Sequence, residues 1–505
     1  MNFNENRRRV AHGVAWNTLY QLFQAAVSFG AMLVLVRVIP PSEYGRASAT
    51  VGWLLLMGSF GCAQFMNQAL QLPADREPDW SLHWSAGMYI QSGLCILSQV
   101  VAGLCWFAPK YRSIAPLLHI AGIGVLLDCG NRLRVTMLRR EMDFRRLRIV
   151  YAAGTLASVA VTISLGVHGD GAYAIVLGQN VVVGIPFSVD LFLVSGWRPK
   201  PGWWRWPDWS AYRPAINFGF QQVASSMLNT LRGAAETAVL PATLGFVAIG
   251  LWGRAQALYT TTLGRVQTIV VETVYPLLPR YAAEPARYPA YATLFCQAVL
   301  WVAFGGMTYL GIEGPLLSRV VYGTKWIAAD PVIWPGALAG LGLAAFMVGS
   351  SVLLAANRLR SCFILDVVSA SFLVPMLGVT WIGGGLVAYA WAVASGQIVV
   401  GAIALWKAGS LLNANWAREV VLPPLVSSIV ASLVVWFFKA DLLPAHMVAR
   451  LAVVTITYGI VFLVVIRLIF WHSLAKLLSY VPGGPHLRRV LLVPVVTAFT
   501  VGPSQ

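Results

Sequence analysis

Fourteen stretches of about 20 mostly apolar residues punctuate this chain, at 14–36, 49–70, 84–107, 115–135, 150–167, 173–195, 216–240, 246–277, 292–312, 332–355, 363–381, 385–405, 421–438 and 447–470. A helix needs that length to cross a hydrocarbon core about 30 Å thick, and within lipid a helix satisfies its own backbone polar groups. Hydrophobic residues are 58% of the 505 and charged residues 11%, a balance that soluble globular domains do not reach. The expected fold is all-α, a polytopic membrane protein of about 14 transmembrane helices. A further apolar run, 490–501, is too short to span and is expected at the membrane surface or disordered.

An even number of spans puts both termini on one side. Most of the 36 Lys and Arg, including seven from Arg132 to Arg148 and four from Arg198 to Arg213, lie in segments that are cytoplasmic when the N-terminus is inside, as the positive-inside rule requires. Arg7, Arg8 and Arg9 precede an apolar run too long for a secretory leader, with no small-residue cleavage site after it, so this run reads as an uncleaved first helix. The formal charge of +17 follows from topology and from contact with anionic membrane lipids; no nucleic-acid partner is implied. Trp197, Trp203, Trp204, Trp206 and Trp209, mixed with Arg198, Lys200 and Arg205, read as an interfacial belt.

No Gly-rich phosphate loop ending in Lys-Ser/Thr, no H-E-x-x-H motif and no Cys/His cluster is present. Cofactor, ATP and metal chemistry are unsupported. Cys62, Cys95, Cys105, Cys129, Cys296 and Cys362 sit within or beside apolar stretches and read as small core hydrophobes.

The sequence also contains an internal echo. Val36-Arg37-Val38-Ile39-Pro40 followed by Tyr44-Gly45-Arg46-Ala47-Ser48-Ala49 is echoed by Val239-Leu240-Pro241 followed by Trp252-Gly253-Arg254-Ala255-Gln256-Ala257, about 208 residues on. Six spans intervene, so the copies share one orientation, as in a parallel repeat. The expected organisation is an N-terminal six-helix lobe at 1–196, a cytoplasmic Trp/Arg-rich connector at 197–213, a second six-helix lobe at 214–407, a final helix pair at 408–472 and a cytoplasmic or membrane-surface tail at 473–505. Two such lobes would enclose a central cavity that opens alternately to each side.

Charges inside spans are costly and mark substrate paths. Arg232 and Glu236 stand one turn apart in the seventh span, on a stripe with Gln222, Ser225 and Asn229; Arg254, Thr261, Arg265, Thr268 and Glu272 form another stripe in the eighth. In the first span Asn17, Gln21 and Gln24 share a face, and in the second Gln64, Asn67 and Gln71 do. Each stripe also reads as polar glue between packed helices, Arg232 with Glu236 as a structural ion pair, and Arg254 as a snorkelling interfacial arginine. Asp128, Asp190 and Asp366 lie near cytoplasmic span ends, where a structural role is favoured; Asp128 can pair with Arg132. Arginine's planar fork suits phosphate and carboxylate oxygens, so an arginine-walled cavity points to an anionic substrate.

Gly13-Val14-Ala15-Trp16-Asn17, Pro41-Ser42-Glu43-Tyr44-Gly45, the basic loop Leu138-Arg139-Arg140-Glu141-Met142-Asp143-Phe144-Arg145-Arg146 and Tyr275-Pro276-Leu277-Leu278-Pro279 together resemble the oligosaccharide flippases, the Wzx-type polysaccharide biosynthesis transporters of the multidrug/oligosaccharidyl-lipid/polysaccharide exporter superfamily. The resemblance runs to about Phe470. It implies a non-enzymatic transporter of the bacterial inner membrane that moves undecaprenyl-pyrophosphate-linked oligosaccharide outward for exopolysaccharide, capsule or O-antigen assembly, beside polysaccharide polymerase machinery. By position it assigns the pyrophosphate to Arg232 and Arg265, with Arg254 in reserve, and leaves the Asn/Gln faces and Glu236 and Glu272 lining the cavity. Arg232-Gly233-Ala234-Ala235-Glu236 stands where many relatives carry an aspartate, a departure from the family pattern that leaves ion coupling open. A drug/cation antiporter of the same superfamily is expected to use membrane carboxylates, whereas the deepest charges here are arginines. A membrane glycosyltransferase or polymerase would show a carboxylate cluster in a large external loop, and the longest external loop, near 313–331, is short. A non-transporting scaffold has no need of deep arginines.

Overall fold

The computed structural model describes residues 3–73, 76–200, 206–274, 278–281, 284, 286–438 and 446–480, with the side chains at 3–15, 224–226, 228–229, 261–274, 280–281, 438 and 479–480 outside that description. All regular structure among the described residues is helical. Twelve segments among them are long and apolar enough to cross a membrane, and these coincide with the expected spans apart from the seventh and eighth.

The first compact unit is Met1–Leu251. It holds α1 (Phe3–Val38), α2 (Pro41–Ser59), α3 (Cys62–Met66), α4 (Trp80–Phe107), α5 (Ala115–Arg140), α6 (Phe144–Val167), α7 (Gly171–Val176), α8 (Ile185–Val189) and α9 (Trp209–Leu244). Helix starts are marked by proline and aspartate. Pro41 takes the first turn of α2, where its missing N–H would be unpaired anyway. Asp79 accepts from Leu82 N at 2.9 Å to cap α4, and Asp143 accepts from Arg146 N at 3.0 Å to cap α6.

The sixth span is not one regular helix. Between α7 and α8 the backbone passes through a wide π-type turn at Leu177–Val181 and a tight turn at Val182–Gly184, and a second π-type turn, Asp190–Val194, follows α8. Pro186 supplies a cause, because it has no N–H to give the carbonyl of Val182.

The 36-residue α9 belongs by sequence to the second block of spans. In space it packs along α2 and α3 within the first unit. Close approach at the head of α2 requires glycine: a Cβ on Gly45 would overlap the carbonyl oxygen of Phe246. Nearby, Glu43 accepts from Arg46 Nη1 at 2.7 Å and from Ala172 N at 3.1 Å, while Arg46 Nη2 donates to Ser113 O at 2.6 Å.

The second unit, Trp252–Gln505, contains most of α10 (Phe246–Val274), α11 (Leu278–Tyr281), α12 (Tyr288–Tyr322), α13 (Asp330–Ala355), α14 (Leu359–Ser371), α15 (Leu373–Trp381), α16 (Leu386–Gly409), α17 (Leu422–Phe438), α18 (Met447–Ile469) and α19 (Trp471–Tyr480). Its core gathers Tyr259, Phe295, Leu300, Met307, Val348 and Leu365. The final pair, α17 and α18, packs through Ala431, Val435, Val454 and Tyr458, and Tyr458 Oη donates to Gly305 O at 3.0 Å. Part of the tail is ordered as α19, whose Leu474, Ala475 and Leu478 cover Trp301 and Ile466. The apolar run 490–501 lies outside the described residues.

Candidate substrate site

Most of the basic loop between the fourth and fifth spans builds scaffold. Arg134 Nε donates to Asp190 Oδ2 at 2.5 Å and Arg146 Nε to Asp190 Oδ1 at 2.9 Å. Arg134 is 4% and Asp190 6% exposed, so both carboxylate oxygens are met by guanidinium groups in a poorly hydrated place. Arg140 reaches four carbonyls at the foot of the second span, those of Ala69 (2.6 Å), Leu72 (3.0 Å), Pro73 (2.8 Å) and Arg76. Arg148 lies over the rings of Tyr20 and Tyr151, 5.4 and 5.5 Å from their centroids. These contacts tie α1, α5, α6 and the sixth span together. They leave Arg139 and Arg145 exposed.

Among these helices lies a cavity of about 490 Å³. Its polar wall combines Gln64, Gln91, Asn131 and Asn180 with an ion pair, Arg132 Nε to Asp128 Oδ2 at 2.8 Å. This is the Asp128–Arg132 pairing anticipated from spacing. The irregular turn of the sixth span delivers Gln179 and Asn180 to the cavity. Gly184 lets the wall close, since a Cβ there would occupy the position of the Asn131 amide; Asn131 Oδ1 in turn accepts from Ser188 Oγ at 2.9 Å. Thr230 of α9 also lines the cavity and receives a bond from Ser59 Oγ at 3.2 Å.

Of the residues singled out from sequence, Gln64 lines this cavity, and Asn67 Nδ2 donates to Gln222 Oε1 at 3.1 Å. Arg232 and Glu236 are half-buried one turn apart on α9, and both are engaged with neighbouring groups. Arg254, half-buried near the start of the second unit, is engaged as well. Asn17 and Gln24 are half-buried and Gln21 is exposed on α1; none of the three lines the cavity. The side chains of Asn229, Arg265 and Glu272 lie outside the described residues. Trp197 is half-buried and packs edge-on against Trp84, their centroids 6.0 Å apart, whereas Trp206 is exposed. Trp203 and Trp204 lie outside the described residues.

Sequence reasoning missed Gln91, Asn131 and Asn180. Gln91 is a lone amide in an apolar run and leaves no periodic trace. The adjacent Gln179-Asn180 in the sixth span was the available signal.

The family model described as "Polysaccharide biosynthesis protein" matches residues 34–331, more than half of the chain. This chain belongs to the polysaccharide biosynthesis protein family. Similar proteins include the succinoglycan biosynthesis transport protein ExoT of Rhizobium meliloti (strain 1021), 21% identical over 337 residues, 65% of each chain. The lipopolysaccharide biosynthesis protein WzxC of Escherichia coli (strain K12) is 20% identical over 402 residues, 78% of this chain and 79% of that one. The teichuronic acid biosynthesis protein TuaB of Bacillus subtilis (strain 168) is 21% identical over 425 residues, 81% of this chain and 84% of that one. The match to ExoT spans just under two thirds of that protein.

Among solved structures, the lipid II flippase MurJ in an inward closed conformation superposes with a TM-score of 0.74 at 12% identity, covering 91% of this chain and 99% of that one. An inward-facing multidrug resistance MATE family transporter of the MOP superfamily gives 0.58 at 12% identity, covering 79% and 97%. This member of the polysaccharide biosynthesis family therefore shares the fold of these two structures, and twelve of its described helical segments are long and apolar enough to cross a membrane.

Proposed function

We propose that the chain is a flippase that carries undecaprenyl-pyrophosphate-linked oligosaccharide from the cytoplasmic to the periplasmic leaflet of the bacterial inner membrane by alternating access, for exopolysaccharide, capsule or O-antigen assembly. The observation that carries this reading is an amide-walled cavity of about 490 Å³ inside an apolar helix bundle, in a chain whose residues 34–331 match the polysaccharide biosynthesis family. A wall of amides inside lipid is costly unless polar cargo or water meets it. The names of ExoT, WzxC and TuaB associate those relatives with polysaccharide assembly. In this reading both termini are cytoplasmic, and the two six-helix lobes expected from sequence rock about a central cavity. Arg232 and Arg265, with Arg254 in reserve, hold the pyrophosphate, whose oxygens match the guanidinium fork. The lipid tail stays in the bilayer. Polymerisation or ligation of the delivered glycan outside keeps the flux one-way.

The test is flipping in liposomes. The purified chain is reconstituted with fluorescent undecaprenyl-pyrophosphate glycan, and quenching by an outside reagent is compared for wild type and Arg232→Ala/Arg265→Ala. Movement by wild type and none by the double variant supports the reading. Exchange of a cationic dye against a proton gradient, with no movement of the glycan lipid, would replace it with a drug antiporter.

A further inference from the structure

We propose that the cavity inside the first unit is a glycan subsite, which holds pyranose rings of the cargo through the side-chain amides of Gln91, Asn180 and Asn131. The proposal rests on the flippase reading and names the part of the substrate that this cavity takes.

Gln91 sits in the middle of α4 and is 2% exposed, yet its Oε1 accepts no hydrogen bond among the described residues. On the same cavity, Asn180 Nδ2 donates none. An unpaired buried amide group costs about 1–3 kcal/mol, and among the described residues two that line this cavity carry one unpaired acceptor and one unpaired donor. A ligand that satisfies both must donate and accept, which a hydroxyl does in a single group.

Charge narrows the class further. Asp128 and Arg132 neutralise one another at 2.8 Å, so the wall has no net charge with which to select an anion or a cation. Among the described residues no cluster of three His, Cys, Asp or Glu side chains could cage a metal. An acyl chain would leave the amides unpaired. Water can also meet the amides, but a neutral, hydroxyl-rich ligand with apolar C–H faces meets them and packs on Leu54, Val125 and Val183 as well. The volume is within the range of small-molecule sites. Low local polarity strengthens each amide–hydroxyl bond relative to water. A π-type turn, a distortion frequent at functional sites, brings Asn180 to the wall.

The experiment uses the full chain in nanodiscs with two probes: the lipid-linked glycan isolated from the producing cells, and the phosphate-free oligosaccharide released from it by mild acid. Wild type is expected to bind the free oligosaccharide. Gln91→Met and Asn180→Leu, which keep side-chain volume close to native, should each weaken that binding at least 10-fold and raise the KM for flipping. Gly58→Leu is an independent variant, because Gly58 lines the cavity and a Cβ there meets no atom within 4 Å; it should reduce binding by occupancy while the thermal transition stays in place. Arg232→Ala should lose flipping of the lipid-linked probe and keep its affinity for the free oligosaccharide. If wild type flips the lipid-linked glycan but ignores the free oligosaccharide, or if Gln91→Met and Gly58→Leu bind and flip as wild type does, the subsite is wrong and the flippase reading survives. If wild type flips no glycan lipid and binds no oligosaccharide, both are wrong.

Discussion

Asn67 Nδ2 donates to Gln222 Oε1 at 3.1 Å, a bond across 155 positions of sequence that fastens the foot of the second span to α9. Both amides belong to polar stripes visible in the sequence, and the structure shows two of those stripes meeting. Side-chain hydrogen bonds between membrane helices contribute modestly, because the separated helices also find partners. A cycle of Asn67→Leu, Gln222→Leu and the double variant should therefore give a coupling of about 0.5–1.5 kcal/mol in unfolding free energy. Strict additivity would show that α9 is held by apolar packing alone.

Asp190 and Asp128 are both paired carboxylates, but their surroundings predict opposite outcomes. Asp190→Ala strands the buried Arg134 guanidinium and should destabilise the protein by about 3–5 kcal/mol, the cost of breaking a buried pair. Asp128→Ala breaks an i,i+4 pair whose partners are 32% and 51% exposed, and should change stability by less than about 1 kcal/mol. Thermal unfolding in detergent compares the two directly.

Gly184 is required by the Asn131 amide that a Cβ would displace. Gly184→Ala should cost about 1–3 kcal/mol, as overpacking does, and should distort the cavity. Gly233 on α9 has open space where a Cβ would go, so Gly233→Ala should be neutral or stabilising by about 0.5–1 kcal/mol. Melting temperatures of the two variants should fall on opposite sides of wild type, or with only Gly184→Ala displaced.

Asp208 caps α9 outside the membrane. The Ser210 hydroxyl first, then the backbone N–H groups of Ala211 and Ser210, hold its carboxyl below the usual carboxylate range. A depressed folded pKa gives a contribution that is complete above the ordinary value and fades as pH falls through the depressed one. Hydrogen exchange at Ser210 and Ala211 should accordingly lose protection, relative to Asp208→Ala, only at the acid end of the titration. Equal protection in both proteins at neutral pH would remove the cap.

Much of the architecture is local and additive, and so legible in one dimension. Each apolar run reports its own transfer into lipid, a quantity that sums along the chain without reference to distant residues. The same locality made the Asp128–Arg132 pair predictable, since four residues make one helical turn. The family resemblance was legible too, in short motifs beside span ends.

The cavity was not legible, because no local property specifies it. Gln91 looks like any isolated amide in an apolar run until α4 buries it where its oxygen meets no donor among the described residues. Asn180 reaches the wall through an irregular turn, and Asn131 has room only because Gly184 lacks a side chain. Likewise, sequence order assigned α9 to the second block of spans, while its packing on α2 and α3 placed it in the first compact unit. The sequence by itself marked the apolar segments, twelve of which coincide with described helical segments long and apolar enough to cross a membrane. Only the tertiary structure decided which polar groups meet and which stay unpaired, because hydrogen bonding depends on ångström-scale distances between groups that the chain separates by scores of residues.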